Sequence, residues 1–131
     1  ALRLANTYQK EATLVSYRRA IQILEEYLQV APDLPVWRSI AYQTIGQIYG
    51  QPLKEYEKGA EYYAKSFETG FASTSLEDTW IWRIISWADQ AGRGDLVLRF
   101  GEILRAEMPR SRFQTAALLK MEKYGYREDH Q

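Results

Sequence analysis

A shift of 39 residues lays one stretch of this chain over another. Tyr17, Ala20, Ile21, Leu24, Tyr27 and Leu28 fall on Tyr56, Gly59, Ala60, Tyr63, Ser66 and Phe67. The positions step by three and four residues, the spacing of one buried face of an α-helix. The same shift carries Tyr42, Ile45, Gly46 and Tyr49 onto Ile81, Ile84, Ile85 and Ala88, and every pair is apolar or small. A helical pattern that recurs at a fixed interval is a strong constraint. No single helix pair can bury its apolar face alone, so successive pairs are expected to stack on one another. The expected fold class is all-α.

Proline, glycine and capping residues divide the pattern into segments. Helical spacing runs from Ala12 to Val30 and is stopped by Pro32 and Pro35. It resumes from about Val36 to Tyr49, ends at Gly50 and Pro52, and continues from Leu53 to Phe67, with Gly70 as a left-handed C-terminal residue. The small, polar Ala72–Ser75 stretch reads as a loop. Ser75 with Asp78 approximates a capping box ahead of Leu76–Ala91. Gly92 and Gly94 predict a tight turn, Asp95 caps Leu96–Glu107, and Pro109 ends that helix. Ser111 with Gln114 predicts a capping box for a last helix through about Tyr124. Leu4, Ala5 and Tyr8 suggest one more helix, cut short by the start of the chain. The organisation expected is one domain over 1–131: a first pair at 1–32, a second at 35–70, a third at 76–109 and a terminal helix at 111–125. The polar tail from Tyr124 to Gln131 is expected to fray.

Composition removes several classes of function. The length of 131 residues suits one domain. Lys plus Arg and Asp plus Glu number 17 each, so there is no basic excess to favour nucleic acid or an anionic membrane as partner. Cysteine is absent, which excludes disulfides, thiolate metal sites and Cys nucleophiles. The one histidine, His130, lies in the polar tail, so a nucleophile–base pair is poorly supplied. The carboxylates of Glu25, Glu26, Glu55 and Glu57 sit beside Lys and Arg, where solvated helix pairs are the default. No ligand set for zinc or calcium occurs. The expectation is a protein that is not an enzyme and takes no cofactor. Arg93-Gly94-Asp95 matches an integrin-ligand tripeptide, and the interhelical turn already accounts for its glycine. The longest apolar stretch, Trp80–Ala88, contains Arg83 and is too short to span a bilayer. No targeting segment is visible. The chain reads as soluble, of the cytoplasm or the bacterial periplasm.

Several of these residues carry a resemblance to the tetratricopeptide repeat family. Ile45-Gly46 followed by Tyr49 resembles the family's apolar–glycine pair and aromatic on the first helix of a repeat, and Leu4-Ala5 with Tyr8 is similar. Tyr17, Ala20, Leu24, Tyr27 and Pro32 resemble the second helix and its closing proline. Gly94-Asp95-Leu96 is similar to the family's turn. Gly101 departs from the pattern, standing where a large apolar residue is expected, and the 39-residue interval exceeds the family's usual 34. Pro109-Arg-Ser111 with Ala116-Ala117 is similar to repeats of periplasmic outer-membrane assembly lipoproteins. The resemblance implies a right-handed α-solenoid of antiparallel helix pairs, about three pairs plus a C-terminal helix. It also implies a concave face that binds a peptide or a partner protein.

The family's groove positions fall on Asn6 and Gln9, then on Ile40, Gln43 and Gln47. On the next pair they fall on Thr79, Trp82, Arg83, Ser86 and Asp89, and at the end on Phe113 and Lys120. A carboxylate clamp is not expected, because Leu2, Thr44 and Thr79 stand where that clamp needs Lys or Asn. Gln43, Gln47, Trp82 and Arg83 are expected to face one groove. The alternative reading is an assembly subunit that forms homo-oligomers through exposed aromatic helix faces. Trp80, Trp82 and Trp87 point in different directions at ~100° per residue, so they cannot share one core.

Overall fold

The computed structural model describes residues 13–30, 34–69 and 78–128. Among these residues every regular element is an α-helix: α1 Leu14–Val30, α2 Pro35–Gly50, α3 Tyr56–Glu68, α4 Asp78–Gln90, α5 Gly94–Glu107 and α6 Gln114–Lys123. The helix expected before Ala12, together with Gly70, Ser75 and His130, lies outside the described residues. The chain divides into two compact units, Ala1–Ser75 and Leu76–Gln131.

In the first unit α2 packs on α1 and on α3. The buried face of α1 is Ala20, Ile21, Ile23 and Leu24, and that of α2 is Ala41, Ile45, Ile48 and Tyr49. α2 and α3 run antiparallel. Ser39, near the start of α2, meets Ser66, near the end of α3. Their hydroxyls lie 2.8 Å apart, and Ser66 Oγ donates to the Ser39 carbonyl at 2.9 Å. Both serines are buried, so this reciprocal pairing satisfies groups that would otherwise be desolvated without a partner. At mid-helix, Gly46 lies against α3 so closely that a Cβ there would sit 2.6 Å from Tyr63 Cδ1 and 3.0 Å from the Gly59 carbonyl oxygen. α1 and α3 are held side by side at a constant offset: Tyr62 donates to Glu25 at 2.7 Å, and Arg18 ion-pairs with Glu55.

In the second unit α5 packs on both α4 and α6, and α6 also touches α4. Gly101 faces Met121 across the α5–α6 crossing, where a Cβ would come within 2.5 Å of the Met121 sulfur. The missing side chain at Gly101 is therefore filled from α6. Gln114 does not form the expected capping box. Its amide donates to the carbonyls of Leu104 at 3.0 Å and Met108 at 2.7 Å, closing the C-terminus of α5. Asp95 does not cap α5 either. The N-cap is Arg93, and Asp95 stands in the first turn, where its charge favours the helix N-terminus. The two arms of Arg93-Gly94-Asp95 bind each other, with Arg93 Nε and Nη2 each 2.9 Å from the Asp95 carboxylate. Hydrogen bonding from Arg93, and secondarily the Leu96 amide, pushes the Asp95 carboxyl down to about 2. Residues 124–128 do not fray as the sequence suggested. Tyr126 N–H donates to the Met121 carbonyl at 3.1 Å, and Glu128 ion-pairs with Arg105.

Burial follows the 39-residue shift. Ala20 and Gly59, Ile21 and Ala60, and Leu24 and Tyr63 are all buried, as are Ile45 and Ile84, Gly46 and Ile85, and Tyr49 and Ala88.

A candidate binding seam between α4 and α6

α4 and α6 lie side by side in the same direction. Ser111 donates to Asp78 at 2.5 Å at the first end. Trp82 stacks on Phe113 in the middle, and Asp89 meets Lys120, Lys123 and Tyr124 at the far end. The paired positions differ by 31 to 35 residues throughout, so the two helices keep register along the whole seam.

The aromatic part is a parallel stack, with ring centroids 5.1 Å apart and planes 4° from coplanar. Both rings are half-buried, so part of each stays accessible to solvent. Two cations approach the stack. Lys120 Nζ lies 6.0 Å from the Trp82 ring, and Arg112 Cζ lies 4.8 Å from the Phe113 ring.

The polar part centres on the Asp89 carboxylate. Lys120 donates to one oxygen at 2.7 Å, and Lys123 and Tyr124 donate to the other at 2.8 Å each. Burial alone would raise this carboxyl. The three donors outweigh that effect and hold it well below the usual carboxylate range. The same contact, Asp89 accepting from each, raises Lys123 and Tyr124. Asp89 is therefore an anion, and two ammonium groups share it.

Between the two parts the side chains are small. Ser86 follows Trp82 by one turn of α4, and Ala116 follows Phe113 by one turn of α6. Both are half-buried. These small side chains lie between the aromatic stack and the lysine pair, and Lys120 reaches from the Asp89 carboxylate toward the Trp82 ring.

The structure thus brings together five of the sequence candidates: Trp82, Ser86, Asp89, Phe113 and Lys120. Thr79 joins them at the first end, 3.5 Å from Arg112 Nη2. Arg83 is half-buried, and its guanidinium lies 5.9 Å from the Trp87 ring. Gln43 and Gln47 are half-buried on α2, in the first unit, and the Gln47 amide donates to Gln51 at 3.3 Å. Ile40 lies exposed on the same helix. Asn6 and Gln9 are outside the described residues. Sequence reasoning missed Lys123 and Tyr124: Lys123 fell in the expected last helix but on no groove position, and Tyr124 opened the stretch that read as tail. Tyr124 following Lys120 by four residues was the signal that could have placed it on the seam.

Elsewhere in the first unit, Tyr42, Tyr49 and Tyr62 form an aromatic cluster. Tyr49 and Tyr62 have centroids 5.7 Å apart, and Lys65 Nζ stands 4.8 Å over the Tyr62 ring. Burial, reinforced by the bond to Glu25, raises the Tyr62 phenol strongly, so Tyr62 stays a neutral donor to Glu25 where α3 meets α1. Among the described residues no group of three or more His, Cys, Asp or Glu is placed to hold a metal ion, and no helix is long and apolar enough to cross a membrane. Comparison with protein families, curated proteins and solved structures finds no match.

Proposed function

We propose that this chain is a non-enzymatic interaction module, built from tetratricopeptide-like helix pairs in a right-handed solenoid, that binds a segment of a partner protein along the α4–α6 seam. The observation that carries this reading is the half-buried Trp82–Phe113 stack. It lies beside small residues on a face where helices two apart in sequence run parallel. Large, rigid aromatic rings supply contact area at little entropic cost and are enriched at binding hot spots. The register supports the repeat reading: offsets of 31 to 35 residues between α4 and α6, and of 37 between α1 and α3, bracket the 34-residue unit of the family. A photo-crosslinker placed at Ser86 is expected to capture a discrete partner that the same group at Glu102, exposed on α5, does not. Equal capture at both positions would refute the seam.

A second reading has its own observation. Leu34, Trp37 and Ile40 form an exposed apolar stripe on α2, and Trp37 is 45% accessible. Such a stripe favours self-association. Sedimentation as a monomer at high concentration would dismiss it.

A further inference from the structure

Resting on the seam as the binding face, the chemistry of its two ends specifies the segment that fits. We infer that the α4–α6 seam takes an extended acidic segment in which an apolar or aromatic side chain and a carboxylate are two residues apart.

The carboxylate end is defined by charge. Lys120 and Lys123 each spend one donor on Asp89, whose two oxygens are both taken. An ammonium has three N–H donors, so each lysine keeps donors for a second acceptor. Two positive charges against one negative leave this end of the seam short of one anion. Arg112 adds a further cation at the aromatic end, against Asp78, which accepts from Ser111. A basic segment would meet repulsion at the lysine pair.

The apolar end is defined by the aromatic pair. Trp82 and Phe113 are stacked and half-buried, and the next residues along the seam are the small Ser86 and Ala116. An apolar or aromatic side chain laid against the pair takes the exposed remainder of both rings out of water.

The spacing is set by Lys120. Its Nζ lies 2.7 Å from the Asp89 carboxylate and 6.0 Å from the Trp82 ring, so the lysine pair adjoins the aromatic pair. An extended chain advances about 3.3 Å per residue and turns alternate side chains to the same side, so residues two apart reach both.

The test is a selection from a random 12-residue display library on the full chain. Anisotropy titration of the enriched peptides then follows, against wild type, Trp82→Ala and Lys123→Gln, at low and high salt. Lys123 is well exposed, so Lys123→Gln is expected to fold normally, and circular dichroism checks both variants. The inference predicts enrichment of the apolar-x-acid pattern. It also predicts affinity reduced about tenfold or more by either variant, and weaker binding in high salt. Peptides that need Trp82 but are basic or uncharged, or that ignore Lys123→Gln, would overturn the acidic assignment and leave the interaction reading standing. No enrichment, or binding indifferent to both variants, would overturn both.

Discussion

Replacing Gly46 by alanine is the sharpest probe of how α2 and α3 meet. The new methyl would lie 2.6 Å from Tyr63 Cδ1, 3.0 Å from the Gly59 carbonyl oxygen and 3.1 Å from the Tyr63 amide nitrogen. Carbon contacts are comfortable at ~3.5–4.0 Å. Two of the three atoms are α3 backbone, and the third belongs to a ring that is 2% exposed, so nothing at the contact can swing aside. Two effects oppose each other. Alanine improves helix propensity by about 1 kcal/mol over glycine. Overpacking of a well-fitted contact costs about 1–3 kcal/mol. The overlap with backbone puts this site toward the upper end, so a net loss of about 1–2 kcal/mol is expected. Gly46→Leu is expected to lose more than Gly46→Ala. Gly101→Ala is the internal contrast. Its methyl meets no backbone, only the flexible but fully buried Met121 side chain, so a loss smaller than at Gly46 is expected. Urea unfolding followed by far-UV circular dichroism measures all three. Gly46→Ala as stable as wild type, or less harmful than Gly101→Ala, would refute the close approach.

Three further outcomes follow from local geometry. Lys54 carries a left-handed backbone, φ 55°, in the turn between α2 and α3. Lys54→Gly is therefore expected to be neutral or to stabilise by up to about 1 kcal/mol in urea unfolding, and a clear loss would contradict that. The Asp89 carboxyl is held below its unfolded value of about 3.9, so its contribution is complete above that pH and is lost as pH falls through the lower folded value. Asp89→Asn should lower stability at pH 7 by about 1–2 kcal/mol and flatten the fall in stability between about pH 5 and 2, whereas an equally steep acid limb would contradict the assignment. Ser66→Ala breaks the reciprocal serine pair and leaves Ser39 buried with fewer partners, for an expected loss of about 1–2 kcal/mol in the same unfolding assay.

Period and punctuation carried most of the fold. Helix faces were legible because burial at Ala20, Leu24, Ile45 and Ile84 depends on a 3.6-residue repeat that the residues themselves spell out. Caps were not. Asp95, Ser111 and Gln114 have the right types at the right spacings, yet none makes the expected cap. Asp95 took Arg93, Ser111 donates to Asp78 while accepting from the Phe113 N–H, and Gln114 took the open carbonyls of α5. Short polar side chains choose among several nearby donors and acceptors, and spacing alone does not rank them. Gly101 misled in the same way, since the side chain that fills its place comes from Met121, twenty residues on. Of the candidate site, Trp82, Phe113 and Lys120 were readable from repeat position. The role of Lys123 and Tyr124 was not, because it exists only through Asp89, more than thirty residues earlier in the chain.

The central claim is that the α4–α6 seam is the face that binds a partner segment. Amide chemical-shift mapping of the labelled chain, titrated with an apolar-x-acid peptide, tests it most directly. The account predicts shifts concentrated at 79–89 and 113–124, with the Trp82 indole signal among the largest and saturable. Shifts centred instead on Leu34, Trp37 and Ile40, or no saturable shift at the seam with any enriched peptide, would contradict it.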